Sequence, residues 1–257
     1  MYQGHRIAAF TDNYLWLLEG NTGKCAAVDP GDARPILAFI EQNGLELTEI
    51  LLTHHHADHI GGLGELKSRF PNCKVYGPAS ERFADMAVGL LDGEKIELAA
   101  TASQLTIVNL FGHTRDHIGY LDASNAFVGD TLFSIGCGRL FEGSASELYQ
   151  SLQTLAQLND DTRIYCAHEY TLANLAFALA VEPNHLGLLN YKKDVESLLS
   201  KGEASIPTTM GREKRLNPFL RCHMVQVQQS IQNHFGLKHV PDPLEAFTLL
   251  RKWKDGF

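Results

Sequence analysis

A chain of 257 residues can bury roughly three quarters of its unfolded surface, so it needs no disulfide staples, and its length accommodates one or two domains. Its net charge of −8, without any block of like basic residues, excludes a surface that tracks a phosphate backbone, and no apolar run reaches the roughly 20 residues of a membrane span. Five cysteines without a CxxC spacing, behind a start that lacks the basic and apolar regions of a secretory signal, predict free thiols in a reducing compartment and a cytoplasmic protein.

The first half alternates short strands with helices. Residues 14–18 and 25–28 read as neighbouring strands joined by turn chemistry at Asn21-Thr22-Gly23. Asp29-Pro30-Gly31-Asp32 breaks the sheet and leads into a helix over 34–43 that Gly44 ends. A strand over 49–52 follows, then a helix over 62–70 stopped by Pro71, then a strand over 74–76, while residues 77–100 carry mixed signals. Strands are expected at 106–110, 118–121, 126–128 and 163–166, with a helix behind the capping-box spacing Ser144-Ala145-Ser146-Glu147. From Thr171 onward only helical periodicity is visible, punctuated by Pro183, Gly202, Pro207, Gly211 and Pro218. This pattern predicts an α/β domain over 1–167 and a helical domain over 168–257.

The chemistry concentrates in Thr53-His54-His55-His56-Ala57-Asp58-His59-Ile60-Gly61-Gly62, directly after a buried strand. Four histidines and an aspartate in six residues are hard to reach by composition as an ordinary solvated turn. In an extended segment His54, His56 and Asp58 face one way and His55 the other, which offers ligands to a metal pair. Imidazole nitrogen with carboxylate oxygen suits zinc, iron or manganese better than calcium. His113, Asp130 and His168 each stand just past another predicted strand, and strand ends along one sheet edge can assemble a rigid site from distant sequence. His5, His185, His223, His234 and His239 share no such placement and read as ordinary histidines.

The pattern from His54 to His59, with His113, Asp130 and His168 downstream, resembles the metallo-β-lactamase superfamily. Asp12-Asn13-Tyr14, Val28-Asp29-Pro30-Gly31-Asp32, Gly129-Asp130-Thr131-Leu132-Phe133, Gly136-Cys137-Gly138-Arg139 and Cys166-Ala167-His168-Glu169-Tyr170-Thr171 are similar to glyoxalase II, the hydroxyacylglutathione hydrolase family, over the whole chain. The resemblance implies an αββα sandwich as catalytic domain followed by a helical substrate-binding domain. It implies one metal on His54, His56 and His113, a second on Asp58, His59 and His168, and Asp130 bridging the two, most simply as a zinc pair with iron or manganese as alternatives. His117 and Asp29 would orient the metal-binding loops. The family often has glycine before the second histidine of the 113–117 loop, where this chain has Asp116.

A hydroxide bridging two divalent ions, held with Asp58 and Asp130 in the site, is a nucleophile suited to a thioester carbonyl, and thiolate departs with little need of protonation. No G-x-S-x-G elbow is present, and Cys137 reads as a buried thiol beside a tight turn rather than a nucleophile. Glutathione carries two carboxylates, so an acidic protein must place cations locally. Arg251 and Lys254 lie three apart on the last helix, and the resemblance assigns them to the glycine carboxylate. Arg139, Phe141 and Tyr170 complete the expected substrate contacts, Arg139 and Phe141 standing where relatives have Lys or Tyr. The implied reaction is hydrolysis of S-(2-hydroxyacyl)glutathione, chiefly S-D-lactoylglutathione, by a cytoplasmic monomer without nucleic-acid or membrane partners. Rivals are a single-iron persulfide dioxygenase, another hydrolase of the same fold, and a non-catalytic metal-binding protein. The last would be expected to lack one of the seven ligands.

Overall fold

The computed structural model describes residues 2–257. They form two compact units: the chain up to Leu110 with Asp116–Gly129, and Phe111–Arg115 with Asp130–Phe257.

In the first unit, β1 (Gln3–Ala9), β2 (Asn13–Glu19) and β3 (Lys24–Val28) pair antiparallel in succession. After β3 the chain crosses through α1 (Ala33–Asn43) to β4 (Glu46–Leu51), then through α2 (Ala57–Ile60) and α3 (Leu63–Arg69) to β5 (Lys74–Pro78). A single 3-10 turn, Glu81–Phe83, precedes β6 (Val88–Leu90). From β3 to β6 the pairing is parallel, which requires those crossovers and places the loops after β3 and β4 on one sheet edge. Ile7, Leu15, Leu17, Ile36, Ile40, Ile50, Val75 and Phe83 share one core beneath the sheet. β7 (Lys95–Leu98), β8 (Ser103–Asn109), β9 (Ile118–Leu121) and β10 (Asn125–Gly129) follow as antiparallel neighbours. The buried Glu49 carboxylate accepts from the Ala99 and Ala100 amides at 2.7 and 3.2 Å, and the Tyr120 hydroxyl donates to the Leu52 carbonyl at 2.8 Å. These side chains tie the later strands to β4.

In the second unit, β11 (Leu132–Phe133) and β12 (Gly136–Cys137) form a short hairpin before α4 (Ala145–Ala156) and β13 (Arg163–Cys166). The capping box at Ser144 and Glu147 is formed at the start of α4. Then come α5 (Thr171–Val181), α6 (Leu186–Ser200), β14 (Thr208–Thr209), α7 (Met210–Leu216), α8 (Val225–Phe235) and α9 (Pro243–Asp255). Leu175, Ala178, Leu188 and Val195 pack α5 on α6 around Ile135. Phe247 lies against Tyr149 and Phe219, and Phe177 against Phe219 and Trp253, so aromatic contacts seat α9 in one rotation.

Several parts differ from the sequence expectation. β1 was not predicted, because its outer half is polar and only Ile7 and Ala9 are buried. Residues 77–100 were illegible because their elements are three or four residues long, too short to show a period. The tail is not purely helical: Thr208–Thr209 pairs antiparallel with Arg163–Ile164, a bridge too short to leave a sequence signal.

Glu213 on α7 is fully buried and accepts from the Ile135 amide, the Thr208 hydroxyl and the Asn217 side-chain amide at 2.8 to 2.9 Å. Burial nevertheless pushes its carboxyl up from 4.5 to about 7. The folded chain therefore holds this proton more tightly than the unfolded one. That stabilisation is complete below about pH 4.5 and is lost as pH rises through about 7, an effect of about 3 kcal/mol. Glu213→Gln can accept from Ile135 and Asn217 through its oxygen and donate through its amide nitrogen to the Thr208 hydroxyl, so its Tm should lose less than wild type between pH 5 and 8 by several degrees, as measured by thermal melts. Parallel profiles would reject the role.

Candidate active site

The loop after β3 and the loop after β4 are built against one another. Asp29 adopts a left-handed conformation (φ 49°), which aspartate tolerates better than most residues, and its carboxylate turns toward the second loop. There it accepts from the Thr53 amide and the Thr53 hydroxyl, both at 2.7 Å, and lies 3.1 Å from His59 Nδ1. Since the Thr53 hydroxyl donates to Asp29, it can accept from His54 Nδ1 at 3.0 Å. Through Thr53 this buried carboxylate sets the His54 tautomer, leaving its Nε2 as an acceptor, and it places its negative charge beside His59 Nδ1. Gly31 makes this approach feasible, because a Cβ there would stand 1.8 Å from the Asp58 carbonyl oxygen.

The histidine loop is extended only as far as His56. From Ala57 it winds into the helical turn α2, with the His59 and Ile60 amides bonded back to the His56 carbonyl at 2.9 and 3.1 Å. The alternation expected from an extended strand therefore describes His54 and His56, while Asp58 and His59 are aimed by the helix. His54 Nε2 and His56 Nδ1 stand 3.1 Å apart, close to the roughly 3.3 Å edge spanned by two nitrogens about 2.05 Å from a tetrahedral zinc. His59 Nε2 stands 3.5 Å from Asp58 Oδ2, which Asn13 holds by a 2.9 Å hydrogen bond. His117 is fully buried and stacks on His54 at 4.7 Å between ring centroids. His55 engages Arg82 at 2.9 Å and Asp116 at 3.4 Å, with Asp116 also accepting from the Ser80 hydroxyl.

The second unit gathers the other three candidate ligands around one carboxylate. Asp130 Oδ2 lies 3.5 Å from His113 Nε2, and its Oδ1 lies 3.5 Å from His168 Nε2. Each oxygen thus faces a different imidazole, as a carboxylate shared by two metals would require. His113 is oriented by a 2.9 Å contact from Nδ1 to the Arg139 carbonyl, which leaves Nε2 as the acceptor. Gly138 is needed beneath this pair, since a Cβ there would stand 2.0 Å from the Asp130 carbonyl oxygen. The His168 ring stacks on Tyr170 at 4.6 Å and meets Phe133 edge-on.

These residues open on a cavity of about 480 Å³ whose wall includes His113, Asp130, Phe141, Tyr170, Asn174 and Lys254. Phe141 is largely exposed and stands edge-on to His113 at 5.2 Å, and Arg139 is exposed, 3.9 Å from Asp255. Arg251, by contrast, is buried. It donates to the Cys137 carbonyl at 3.1 Å and to Asp255 at 2.8 and 3.1 Å, so much of its hydrogen-bonding capacity holds the cavity wall together. Lys254 donates to the Asn174 side-chain oxygen. Burial, and next the nearby Arg251 charge, lower its ammonium from 10.5 to about 8. Burial raises the Cys137 thiol against the opposing pull of Arg251, and a thiol so held protonated is not a nucleophile.

A metallo-β-lactamase superfamily model matches residues 10–168, and a model described as the hydroxyacylglutathione hydrolase C-terminus matches residues 169–257. The hydroxyacylglutathione hydrolase of Aliivibrio salmonicida is 48% identical over 98% of both chains, and that of Vibrio cholerae 46% identical over 100% of both. The chain belongs to the hydroxyacylglutathione hydrolase family. It has the metallo-β-lactamase fold with the family's helical C-terminal region, as its sequence led us to expect. Among solved structures, ETHE1 from Myxococcus xanthus aligns over 100% of both chains with a TM-score of 0.64 at 24% identity. A metallo-β-lactamase from Staphylococcus aureus aligns over 98% of this chain and 72% of its own with a TM-score of 0.63 at 19% identity. At such identities the likeness concerns the fold.

Sequence reasoning gave no role to Thr53, Asn13 or Asn174. Thr53 and Asn13 lay inside motifs already singled out, and Asn174 betrays itself only as an amide among the apolar residues of α5. Asp29→Asn tests the tautomer argument, since an amide facing His59 Nδ1 would donate and place the proton on Nε2. Zinc affinity measured by chelator competition should fall about 10- to 100-fold with the fold retained. Wild-type affinity in the variant would refute it.

Proposed function

We propose that this chain hydrolyses S-(2-hydroxyacyl)glutathione, chiefly S-D-lactoylglutathione, to glutathione and D-lactate in methylglyoxal detoxification. The observation that carries the proposal is Asp130, whose two oxygens each face one histidine at 3.5 Å in the wall of a cavity that also presents Lys254. We assign two divalent metals, most simply zinc, to the family's ligand set. His54, His56 and His113 would hold one, Asp58, His59 and His168 the other, and Asp130 would be shared. The 3.1 Å separation of His54 and His56 nitrogens and the all-imidazole and carboxylate donor chemistry fit that group. When bound, such a pair supplies Lewis acidity and an acidified water. The domain reading follows: a catalytic domain over 1–167 and a helical substrate-binding domain over 168–257, in a cytoplasmic monomer.

The chain's own residues do the rest. Asp29, through Thr53, holds His54 in the tautomer whose Nε2 accepts. Asn13 keeps Asp58 aimed, and the Arg139 carbonyl does the same for His113. Lys254 and Arg139 offer charge to glutathione carboxylates, with Tyr170 and Phe141 as apolar walls; Arg251 chiefly shapes the Cys137–Gly138 backbone on which the cavity rests. The thiolate product leaves without a dedicated acid, because a thiol is far more acidic than an amine.

The test is thiol release from S-D-lactoylglutathione by protein of known metal content. Turnover is expected, and none with both metals bound would refute the assignment; oxygen uptake with glutathione persulfide instead would support the dioxygenase rival. Lys254→Met should raise KM about 10- to 100-fold with kcat nearly unchanged, the loss of one charge-assisted hydrogen bond made equally in ground and transition states. In the wild type, KM should rise as pH passes through about 8 and Lys254 discharges, a limb absent from the Met variant.

A further inference from the structure

The amide of Asn174 sits between two partners that demand opposite things of it. Its oxygen accepts from the Lys254 ammonium and its nitrogen donates to the Ser134 carbonyl at 2.9 Å, and the residue is 3% exposed. Its position leaves no slack: a Cβ on Gly136 would stand 2.5 to 2.7 Å from the Asn174 amide atoms. The Ser134 carbonyl fixes which way the amide points, because it can only accept, and the oxygen is thereby turned to Lys254. A carboxylate at this place would face the Ser134 carbonyl with an unprotonated oxygen, and a hydrocarbon would leave both partners unmet.

We propose that Asn174 is a positioning residue for substrate binding: a neutral acceptor that holds the Lys254 ammonium at the cavity wall without neutralising it, so that its charge is kept for a carboxylate of the glutathione thioester. The proposal rests on the functional reading above. The charged and titratable groups around Lys254 are Arg251, Arg139, Asp255 and Cys137, of which Asp255 is already engaged by Arg251. In a partly desolvated place shared with two guanidinium groups, a full negative charge on residue 174 would claim the ammonium for itself. An amide satisfies one N–H of the three and leaves the charge intact. Phe177 beneath the ammonium, 5.3 Å from ring centroid to Nζ, adds a second contact that attracts without neutralising.

Asn174→Asp is the decisive variant, since it changes the charge and keeps the size. KM for S-D-lactoylglutathione should rise roughly tenfold, with the effect in KM rather than kcat, and the alkaline rise in KM should move upward by a pH unit or more because the carboxylate retains the Lys254 proton. In a Lys254→Met background the same substitution should no longer change KM, which separates an effect through Lys254 from general damage to the cavity. Unchanged KM and pH dependence in Asn174→Asp, or an equal KM effect in both backgrounds, would overturn the proposal. If Asn174→Asp folds poorly by thermal melt, Asn174→Ser takes its place, and its KM should rise in the wild-type background only. If the metal-loaded wild type does not turn over the thioester, the functional reading fails. The proposal is then decided by NMR titration of the Lys254 side chain, whose midpoint must rise in Asn174→Asp; an unmoved midpoint overturns it.

Discussion

The first unit depends on one carboxylate. Asp29 stands where a parallel strand ends, in a backbone conformation that most residues avoid, and both its oxygens are spent on the loop leaving the neighbouring strand. Hydrogen bonds to an ionised group contribute about 1.5–3 kcal/mol each, more than enough to offset the cost of a left-handed aspartate. The parallel order of β3 and β4 makes the brace geometrically available, since the loops that leave two adjacent parallel strands emerge side by side from the same edge. Gly31 then allows the backbones to close to contact. Everything that aims His54 and His59, through Thr53 and directly, descends from this arrangement.

The second unit solves a similar problem with different means. Its candidate ligands are spaced by backbone: a carbonyl at Arg139 orients His113, and a missing Cβ at Gly138 lets Asp130 sit beneath it. The backbone in turn is held by Arg251, whose guanidinium reaches the Cys137 and Gly138 carbonyls from α9. That reach depends on the aromatic contacts of Phe247 and Trp253, which fix the rotation of the helix. The last helix therefore supports the candidate ligands mechanically as well as presenting charge beside them. A residue read from sequence as a substrate cation is, in its main contacts, a girder.

What was legible in the sequence followed from how each signal is encoded. The histidine loop, the helices between the early strands and the capping box at Ser144 are written in residue type at fixed spacing, and these could be read directly. The helical turn at Ala57 could not, because a four-residue helix has no period and is decided by the amides that find the His56 carbonyl. The strands at 88–90 and 208–209 failed for the same reason. Thr53, Asn13 and Asn174 act through hydrogen bonds to residues 24, 45 and 80 positions away, and nothing local distinguishes them from any other polar side chain. Sequence spacing singled out the candidate ligands, whereas the residues that hold them in place became visible only once the chain was folded.

The lysine at position 254 shows why aiming matters in an acidic protein. With a net charge of −8, anionic molecules are repelled at long range, so attraction has to be local and strong. Desolvation provides the strength, because the same burial that lowers the ammonium to about 8 also lowers the dielectric through which it meets a carboxylate. The two effects cannot be separated: a more exposed lysine would hold its proton to higher pH and grip an anion less. Arginine would hold its charge but requires more donors to be satisfied, and the neighbouring Arg251 already occupies the carbonyls that could do so. A compact ammonium beside a neutral amide is the arrangement that stays charged near neutral pH while leaving donors free for an arriving anion.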